Sequence, residues 1–403
     1  IGDEEDEREE EMFGARVIAA AFKEGGLVKP GYARMSNVEF IRAGQEGWSD
    51  NFDPRYSLVF MDSSPAEYDL LPIGEINSYV ENCAFDYNYN SGIGIFGSTG
   101  VAIRNNVLYR HINDGIIDEG TNTEIIKNLV VMGESINEFK DLTFAFEFKG
   151  CINTLAASGT ILQDNVMAGC AQGGLVTRGV PCTETYTWTG NEIHSTQHAV
   201  HVNGRGFDET GCRNVKDFYV WRNYEYGLMI NTEDNIEAEN MTLIENGVAM
   251  LVHGVGPSAI SHEIKEDSHA SITKSTIIAN VPSFNCNEKA PRILSFSPEA
   301  NRAWTGKKSG YTHTGIILPI FQSKYGKINM KYHQALKGAA GSNPTLRGIL
   351  YIEEVSFVNF DGSCGEKDTV FRTNTLADDV NWPVHASKLS FDNVNEDFKV
   401  LFD

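Results

Sequence analysis

The chain has 403 residues, 41% of them hydrophobic, and carries a formal net charge of −22. This charge would repel a phosphate backbone over most of the surface, so we do not expect nucleic-acid binding. No apolar run is long enough to span a bilayer, and the sequence starts at Ile1 without an initiator Met or a signal-like segment. We therefore expect a mature chain or a piece of a longer one.

The charge is unevenly distributed along the chain. Residues 3–11 hold eight acidic residues and a single basic one, Arg8. Such a run is typical of a solvated tail or linker, which we predict for residues 1–12. We assign residues 13–403 to one domain.

A short motif recurs after an entry strand at 34–40 (RMSNVEF). In each copy an Asn precedes a short, mostly apolar strand, as in 80–85 (VENCAF), 103–108 (IRNNVL), 126–130 (IKNLV), 162–167 (LQDNVM) and 189–193 (TGNEI). The positions that we take as equivalent, at spacings of 24, 22, 37, 26, 26 and 23 residues, are Asn82, Asn106, Asn128, Asn165, Asn191, Asp217 and Asn240. The long spacing predicts an insertion near 131–158.

A second strand lies within each repeat, usually directly behind a Gly. Examples are 92–96 (GIGIF), 115–118 (GIID), 174–177 (GLVT), 199–202 (AVHV) and 227–230 (GLMI). These glycines fit a sharp bend that needs positive φ. None of the runs is long enough for a stable helix.

Repeats of about 22–26 residues with short strands predict an all-β fold, a right-handed parallel β-helix whose stacked coils share one core. Asn at a repeated turn tolerates the left-handed conformation, and its amide can hydrogen-bond to the Asn of the next coil. A leucine-rich horseshoe is the competing solenoid, but its L-x-x-L-x-L pattern is absent. We predict a second insertion near 287–349, before closing coils at 351–357 (YIEEVSF) and 390–394 (SFDNV).

Several side chains are candidates for catalysis. Parallel β-helices commonly present glycan-cleaving sites on an exposed sheet, where two carboxylates flank a sugar or a base acts with a metal. One predicted coil carries His111, Asp114, Asp118 and Glu119, and Glu147 lies in the first insertion. Stacking would bring these side chains into one groove. The alternatives are a calcium site built from the same carboxylates and ordinary solvated turns.

Three histidines, His194, His198 and His201, invite a metal site. On a regular strand, however, a spacing of three places His198 and His201 on opposite faces, so we expect no shared ligand set. No CxxC pair or zinc-like Cys/His spacing is present. Apart from the calcium alternative, we expect no cofactor.

A basic stretch contrasts with the acidic remainder. Residues 300–352 contain eight basic residues and no acid, so this stretch is +8 and the rest of the chain is −30. Cationic and aromatic side chains together bind acidic glycans or acidic protein surfaces. We predict contact with another copy or another acidic extracellular surface, and the alternative is that the stretch covers a solenoid edge. The basic residues expected to bind are Arg302, Lys307, Lys308, Lys324, Lys327 and Lys331.

One N-x-[S/T] sequon, 240–242 (NMT), makes Asn240 a candidate N-glycosylation site. Asn240 also falls in the repeated turn series. An Asn that faces inward cannot carry a glycan, so its place in the series argues against occupancy.

These motifs together resemble the β-helix region that follows a G8 domain in the fibrocystin family, and more distantly the cell-surface hyaluronan-degrading proteins. The resemblance runs from about Phe13 to Cys364 and is carried by 36–40 (SNVEF), 53–56 (DPRY), 93–97 (IGIFG), 179–182 (GVPC), 211–212 (GC), 259–262 (AISH), 284–286 (FNC) and 315–321 (GIILPIF). Where the hyaluronan-degrading proteins have a His-rich strand, this chain reads 56–61 (YSLVFM), which contains no His. That departure weakens a hyaluronidase assignment.

The resemblance favours a disulfide between Cys182 and Cys212, which match family positions. By spacing, Cys151 and Cys170 are candidates for a second bond. A third pair, Cys286 with Cys364, would then close off the basic stretch. The alternative is a set of buried free thiols.

The resemblance further implies an extracellular or cell-surface part of a large membrane-anchored or secreted protein, with a cilium as one location. We expect a non-catalytic structural, adhesive or receptor-like ectodomain, such as a unit of a surface coat, ciliary appendage or fibre. The alternative is a glycan-binding or glycan-cleaving β-helix enzyme.

Overall fold

A computed structural model describes residues 13–47, 54–63, 78–134, 148–203, 211–232, 234–254, 269–281, 313–317, 349–362, 368–373 and 384–402. The ordered elements in these ranges are β-strands and one 3-10 turn, Glu396–Phe398. None of the described residues belongs to a helix that is long and apolar enough to cross a bilayer. The chain divides into two compact units. Unit 1 comprises the described residues up to 134 with 149–177 and 187–192. Unit 2 comprises Phe148, 178–186 and the described residues from 193 onward.

Unit 1 has three parallel sheets, to which successive coils contribute their strands. Sheet A1 contains Val17–Ala20, Leu58–Met61, Ile93–Thr99, Ile116–Thr121, Gly150–Thr154 and Gly173–Thr177. Sheet B1 contains Arg34–Ser36, Ser78–Glu81, Val101–Arg104, Glu124–Ile126 and Ile161–Gln163. Sheet C1 contains Glu39–Ile41, Ala84–Asn88, Val107–His111, Leu129–Val131 and Val166–Ala168. An antiparallel hairpin, Phe22–Glu24 with Leu27–Lys29, stands apart from them.

Unit 2 repeats the three-sheet arrangement. Sheet A2 contains His198–Asn203, Tyr226–Asn231, Val248–Gly254, Thr314–Ile317, Thr369–Thr373 and Val400–Phe402. Sheet B2 contains Cys212–Lys216, Asn235–Glu239, His269–Thr273, Ile349–Glu353 and Val384–Ser387, with Val180–Pro181 added antiparallel to Cys212–Lys216. Sheet C2 contains Phe218–Trp221, Thr242–Ile244, Thr276–Ile278, Ser356–Val358 and Ser390–Asp392. Strand Asn191–His194 begins in unit 1 and ends in unit 2.

The coils stack in register, so equivalent side chains lie over one another. In sheet B1, Val80 pairs with Ile103, Ile103 with Ile125, and Ile125 with Leu162. All four side chains are fully buried, and removal of their apolar surface from water, at about 25 cal/mol per Å², stabilises the stack. The predicted fold class, a right-handed parallel β-helix, is confirmed.

The predicted Asn ladder runs along the corner between sheets B1 and C1. The backbone N–H and Nδ2 of Asn106 both donate to Oδ1 of Asn128 at 3.0 Å, and those of Asn128 donate to Oδ1 of Asn165 at 3.0 and 3.1 Å. Asn165 donates in the same way to Asn191. Each amide thus satisfies buried polar groups on the neighbouring coil.

The ladder differs from the prediction at three of its members. Cys83, not Asn82, lies over Asn106: the N–H of Cys83 donates a hydrogen bond to Asn106 Oδ1. Asn82 has a φ of 53° and occupies the exposed turn position before the ladder, and Asp217 and Asn240 have the same left-handed conformation. The corner therefore uses two residues: a left-handed one that faces solvent and a following one that faces inward.

A second ladder, in unit 2, was not predicted. It lies between sheets C2 and A2, where the N–H of Thr196 donates to Oδ1 of Asn223 at 3.0 Å. The N–H and Nδ2 of Asn223 donate to Oδ1 of Asn246 at 3.1 and 2.8 Å.

The glycines before the sheet A strands serve close packing rather than a left-handed turn, so the predicted positive φ is wrong. Gly92, Gly115 and Gly227 are absent from the positive-φ residues. A Cβ on Gly115 would lie 2.4 Å from a methyl carbon of Val130 and 2.6 Å from the carbonyl oxygen of Cys151. These glycines allow the strand to begin against the next coil.

Both predicted insertions contain a strand of the core. Gly150–Thr154 belongs to sheet A1, so the first interruption is shorter than residues 131–158. Thr314–Ile317 pairs with Val248–Gly254 in sheet A2, so at these residues the second predicted insertion is wrong. The acidic residues 3–11 and all six named basic residues lie outside the described ranges.

Candidate functional site

The predicted catalytic carboxylate Asp118 is fully buried and faces inward. Its Oδ1 accepts hydrogen bonds from the N–H of Gly120 at 2.9 Å and from Thr123 Oγ1 at 3.1 Å. Its Oδ2 accepts from Thr160 Oγ1, on the next coil, at 2.8 Å. Burial raises the pKa of Asp118, and these three hydrogen bonds oppose the rise. Through its hydrogen bond with Thr160, the carboxylate links one coil to the next.

Asp114, two residues before the strand Ile116–Thr121, has a comparable structural role. It is 1% exposed, and its Oδ1 accepts from the N–H of Gly150 at 2.8 Å and from Asn153 Nδ2 at 3.3 Å. Its Oδ2 lies 3.6 Å from Lys149 Nζ. A calcium ion at Asp114 would have to displace this ammonium group.

His111 is buried at the corner between sheets C1 and A1, in register with Asn88. Neither ring nitrogen makes a hydrogen bond of good geometry. Burial lowers the pKa of His111 to about 4, so the ring is neutral at pH 7.

The predicted groove is therefore wrong for the described residues. Asp114, Asp118 and His111 face the interior, whereas Glu119 is exposed on the outer face of the same strand. The alternation of side chains along Ile116–Thr121 separates Asp118 from Glu119. Glu147 lies outside the described residues.

The structure instead brings together two histidines and a glutamate in unit 2. His198 Nε2 lies 3.1 Å from Glu225 Oε2, and His198 Nδ1 lies 3.2 Å from His201 Nδ1. The ring of Phe148 stacks on His198 at a centroid distance of 4.7 Å and contacts His201 at 4.3 Å in a tilted orientation, and Tyr226 meets His198 edge-on. All five side chains are buried.

The proximity of His198 and His201 contradicts the prediction that they lie on opposite faces. The pairing with the next strand keeps one register and joins His198 to Tyr226, Val200 to Leu228 and His201 to Met229. Every residue of 198–202 is buried, so burial along this strand does not alternate between two faces. The same spacing of three recurs in one buried apolar cluster, which contains Tyr226 with Met229 and Val248 with Leu251.

Burial controls the charge of this cluster. It lowers the pKa of His198 to about 3 and that of His201 well below its ordinary value, with His198 contributing to the latter. It raises the pKa of Glu225 to about 7, and a hydrogen bond from Gln197 opposes the rise. Both imidazoles are therefore neutral at pH 7, whereas Glu225 binds a proton at a much higher pH than an exposed glutamate does.

The arrangement can hold a proton in two ways. With Glu225 ionised, His198 donates through Nε2–H and accepts at Nδ1 from His201. With Glu225 protonated, it donates to His198 Nε2, and His198 donates through Nδ1–H to His201. The three groups form a chain and do not converge on one point. Among the described residues the compact set of ligand atoms is Cys182, Cys212 and Glu237, in which both sulfurs are bonded to each other.

Two of the predicted disulfides are present: Cys151–Cys170 in unit 1 and Cys182–Cys212 in unit 2. Cys83 is a buried free thiol. The third predicted pair, Cys286–Cys364, lies outside the described residues. Disulfides of this kind fit an oxidising compartment.

The chain is similar in sequence to fibrocystins. It is 30% identical to fibrocystin-L of Homo sapiens over 409 residues, which cover 97% of this chain and 9% of that protein. It is 30% identical to fibrocystin-L of Mus musculus and 26% identical to Mus musculus fibrocystin, over 100% and 96% of the chain. The chain spans about 9% of the length of each of these relatives.

No protein-family model matches the chain. Among solved structures, the catalytic domain of a GH87 α-1,3-glucanase has a TM-score of 0.40 and 9% identity, covering 92% of this chain and 61% of that one. The Dettilon tailspike protein has a TM-score of 0.29 and 11% identity, covering 96% of this chain and 60% of that one. At such TM-scores these likenesses carry no argument about function. The family resemblance indicated by the sequence motifs is confirmed by the curated relatives: over nearly its whole length, the chain is homologous to a segment of fibrocystin-L and fibrocystin.

Proposed function

We propose that this chain is a non-catalytic structural or adhesive module of an extracellular protein. The homology to fibrocystin-L and the two disulfides support this assignment. The observation that carries it is the use of Asp118: both carboxylate oxygens are occupied in hydrogen bonds, one of them to the next coil. A group committed in this way supports the stacking of coils and is not available to a substrate.

The cluster of His198, His201 and Glu225 is consistent with the same role. A general base must come within hydrogen-bond reach of a substrate proton, and these groups are enclosed by Phe148 and Tyr226. A hydrogen-bonded polar network in a core helps to select one packing arrangement. We assign this network a structural role within unit 2.

We further propose that the basic stretch, residues 300–352, binds an acidic protein surface. The charge segregation of +8 against −30 supports contact between the basic stretch and acidic surfaces, including a second copy. Such binding weakens as salt rises, because exposed charges more than a Debye length apart are screened. Sedimentation at low and high salt tests this, and salt-independent self-association would contradict it.

The non-catalytic assignment is tested with purified chain incubated with hyaluronan, polygalacturonate, alginate and α-1,3-glucan, with and without calcium, at pH 5 and 7. We expect no change in polymer size by light scattering and no new reducing ends or unsaturated products. Glu119→Gln, on the exposed face, and Asp118→Asn, in the core, are the matched variants. Depolymerisation that wild type performs and either variant loses would refute the proposal.

A further inference from the structure

We propose that Asn240 carries an N-linked glycan. The chain contains one sequon, and Asn240 is its acceptor. The sequence pattern placed this residue in an inward ladder, where a glycan would not fit. The structure removes that objection, because Asn240 is exposed and the next residue, Met241, takes the inward position with no exposed surface.

The position of Asn240 is a solenoid corner at which other surface side chains already project. Asn240 has a left-handed conformation with a φ of 54°. The equivalent residues one coil before and one coil after, Asp217 and Lys274, have φ values of 63° and 49°. Lys274 is exposed at the same corner. This conformation directs the side chain away from the core, so a glycan would leave the stacking of coils undisturbed.

The acceptor atom itself lies at the surface. Asn240 Nδ2 donates to Asp217 Oδ1 at 2.6 Å in an exposed hydrogen bond. Attachment of a sugar removes one of the two Nδ2 hydrogens, and the other remains available to donate. The modification therefore does not require the loss of a buried hydrogen bond.

The remaining sequon residue also faces outward. Thr242 is half-buried in Thr242–Ile244, whose inward residue is Leu243. Thr242 pairs in register with Tyr219, which is 46% exposed. This exposed aromatic ring, in register with the third residue of the sequon, offers an apolar surface against which a sugar at Asn240 can pack.

The covalent step needs a lipid-linked diphosphate oligosaccharide as co-reactant. Asn240 Nδ2 attacks the anomeric carbon of the first N-acetylglucosamine, and a C–N bond replaces the C–O bond to the diphosphate. The lipid diphosphate leaves with the bonding electron pair, and the amide gives up one proton. No oxidation or reduction takes place.

The inference rests on the proposed function in one respect, since such donors are met in the secretory pathway. The test therefore directs the chain into the secretory pathway. The full chain is fused behind a cleavable signal sequence, secreted from a eukaryotic cell, and analysed by intact mass before and after peptide-N-glycosidase treatment. Disulfide mapping of Cys151–Cys170 and Cys182–Cys212 in the same sample reports folding in that compartment.

We expect a single glycan, released by the glycosidase with conversion of Asn240 to Asp. Asn240→Gln and Thr242→Ala should both abolish it, whereas Thr242→Ser and the corner control Asn393→Gln should retain it. Asn393 is an exposed left-handed corner residue outside any sequon. Secreted chain that has both disulfides but no glycan overturns the inference and leaves the extracellular assignment intact. A glycan that persists in Thr242→Ala also overturns it.

Discussion

The Asn ladder of unit 1 makes a quantitative prediction for Asn128→Ala. Asn128 Oδ1 accepts from the N–H and Nδ2 of Asn106, and its Nδ2 donates to the carbonyl oxygen of Ile103 and to Asn165 Oδ1. Truncation removes all four hydrogen bonds inside the core. At about 0.5–1.5 kcal/mol each, the expected loss is about 2–6 kcal/mol.

The neighbouring residue supplies a matched control. Lys127 is exposed and left-handed, with a φ of 56°, and Lys127→Ala leaves the ladder intact. It should change the free energy of unfolding by less than about 0.5 kcal/mol. Neither substitution adds or removes a glycine or a proline, so neither changes the conformational freedom of the backbone much.

Native-state hydrogen exchange with mass spectrometry is the assay, because solenoid coils are coupled mainly to their neighbours and a global transition can hide a local loss. In Asn128→Ala we expect faster exchange in peptides that contain Asn106 and Ile103, and little change in unit 2. Exchange and unfolding free energies that match those of Lys127→Ala would refute the reasoning.

Two further predictions concern unit 2 and the disulfides. Because burial raises the pKa of Glu225 from 4.5 to about 7, its stabilising contribution is complete below pH 4.5 and is lost as the pH rises through 7. The stability of Glu225→Gln relative to wild type should therefore rise by about 2–3 kcal/mol between pH 5 and pH 8 in denaturant titrations, and an unchanged difference would contradict this. Removal of Cys182–Cys212 by paired Ser substitutions opens a loop with a separation of 30 residues and should cost about 3–4 kcal/mol, with faster exchange confined to unit 2. Exchange in unit 1 that rises equally would argue against this local effect.

The repeat period was sufficient to predict the fold and most of the ladder. Spacing alone could not resolve a two-residue corner, since Asn occupies both of its positions at Asn105 and Asn106. From the sequence, Asn82 and Asn240 could therefore occupy either the solvent-facing or the inward-facing position of the corner. Each error reversed the side chain between solvent and core.

The candidate site was harder to predict, because the strand that carries it is buried along its length and does not alternate between core and solvent. Strict period-two reasoning separated His198 from His201, whereas both rings are buried and their Nδ1 atoms lie 3.2 Å apart. Asp118 was predicted to be catalytic because the sequence does not show that Thr160 lies beside it on the next coil. The hydroxyl of Thr160 donates a hydrogen bond to one of the carboxylate oxygens. A polar residue on an inward strand position, followed by Gly and Thr, is the signal that could have indicated a structural carboxylate.

Distances between exposed corner residues test the stacking of coils most directly. Spin labels introduced by unnatural amino acids, which leave the cysteines untouched, are placed at Asn37 with Lys127 and at Asn37 with Asp164, all left-handed corner residues of unit 1. These pairs are three and four coils apart, so pulsed electron paramagnetic resonance should give about 14 and 19 Å, a difference of one strand spacing of about 4.8 Å. Distances that do not increase by one strand spacing with the added coil would contradict the β-helix and every assignment that depends on it.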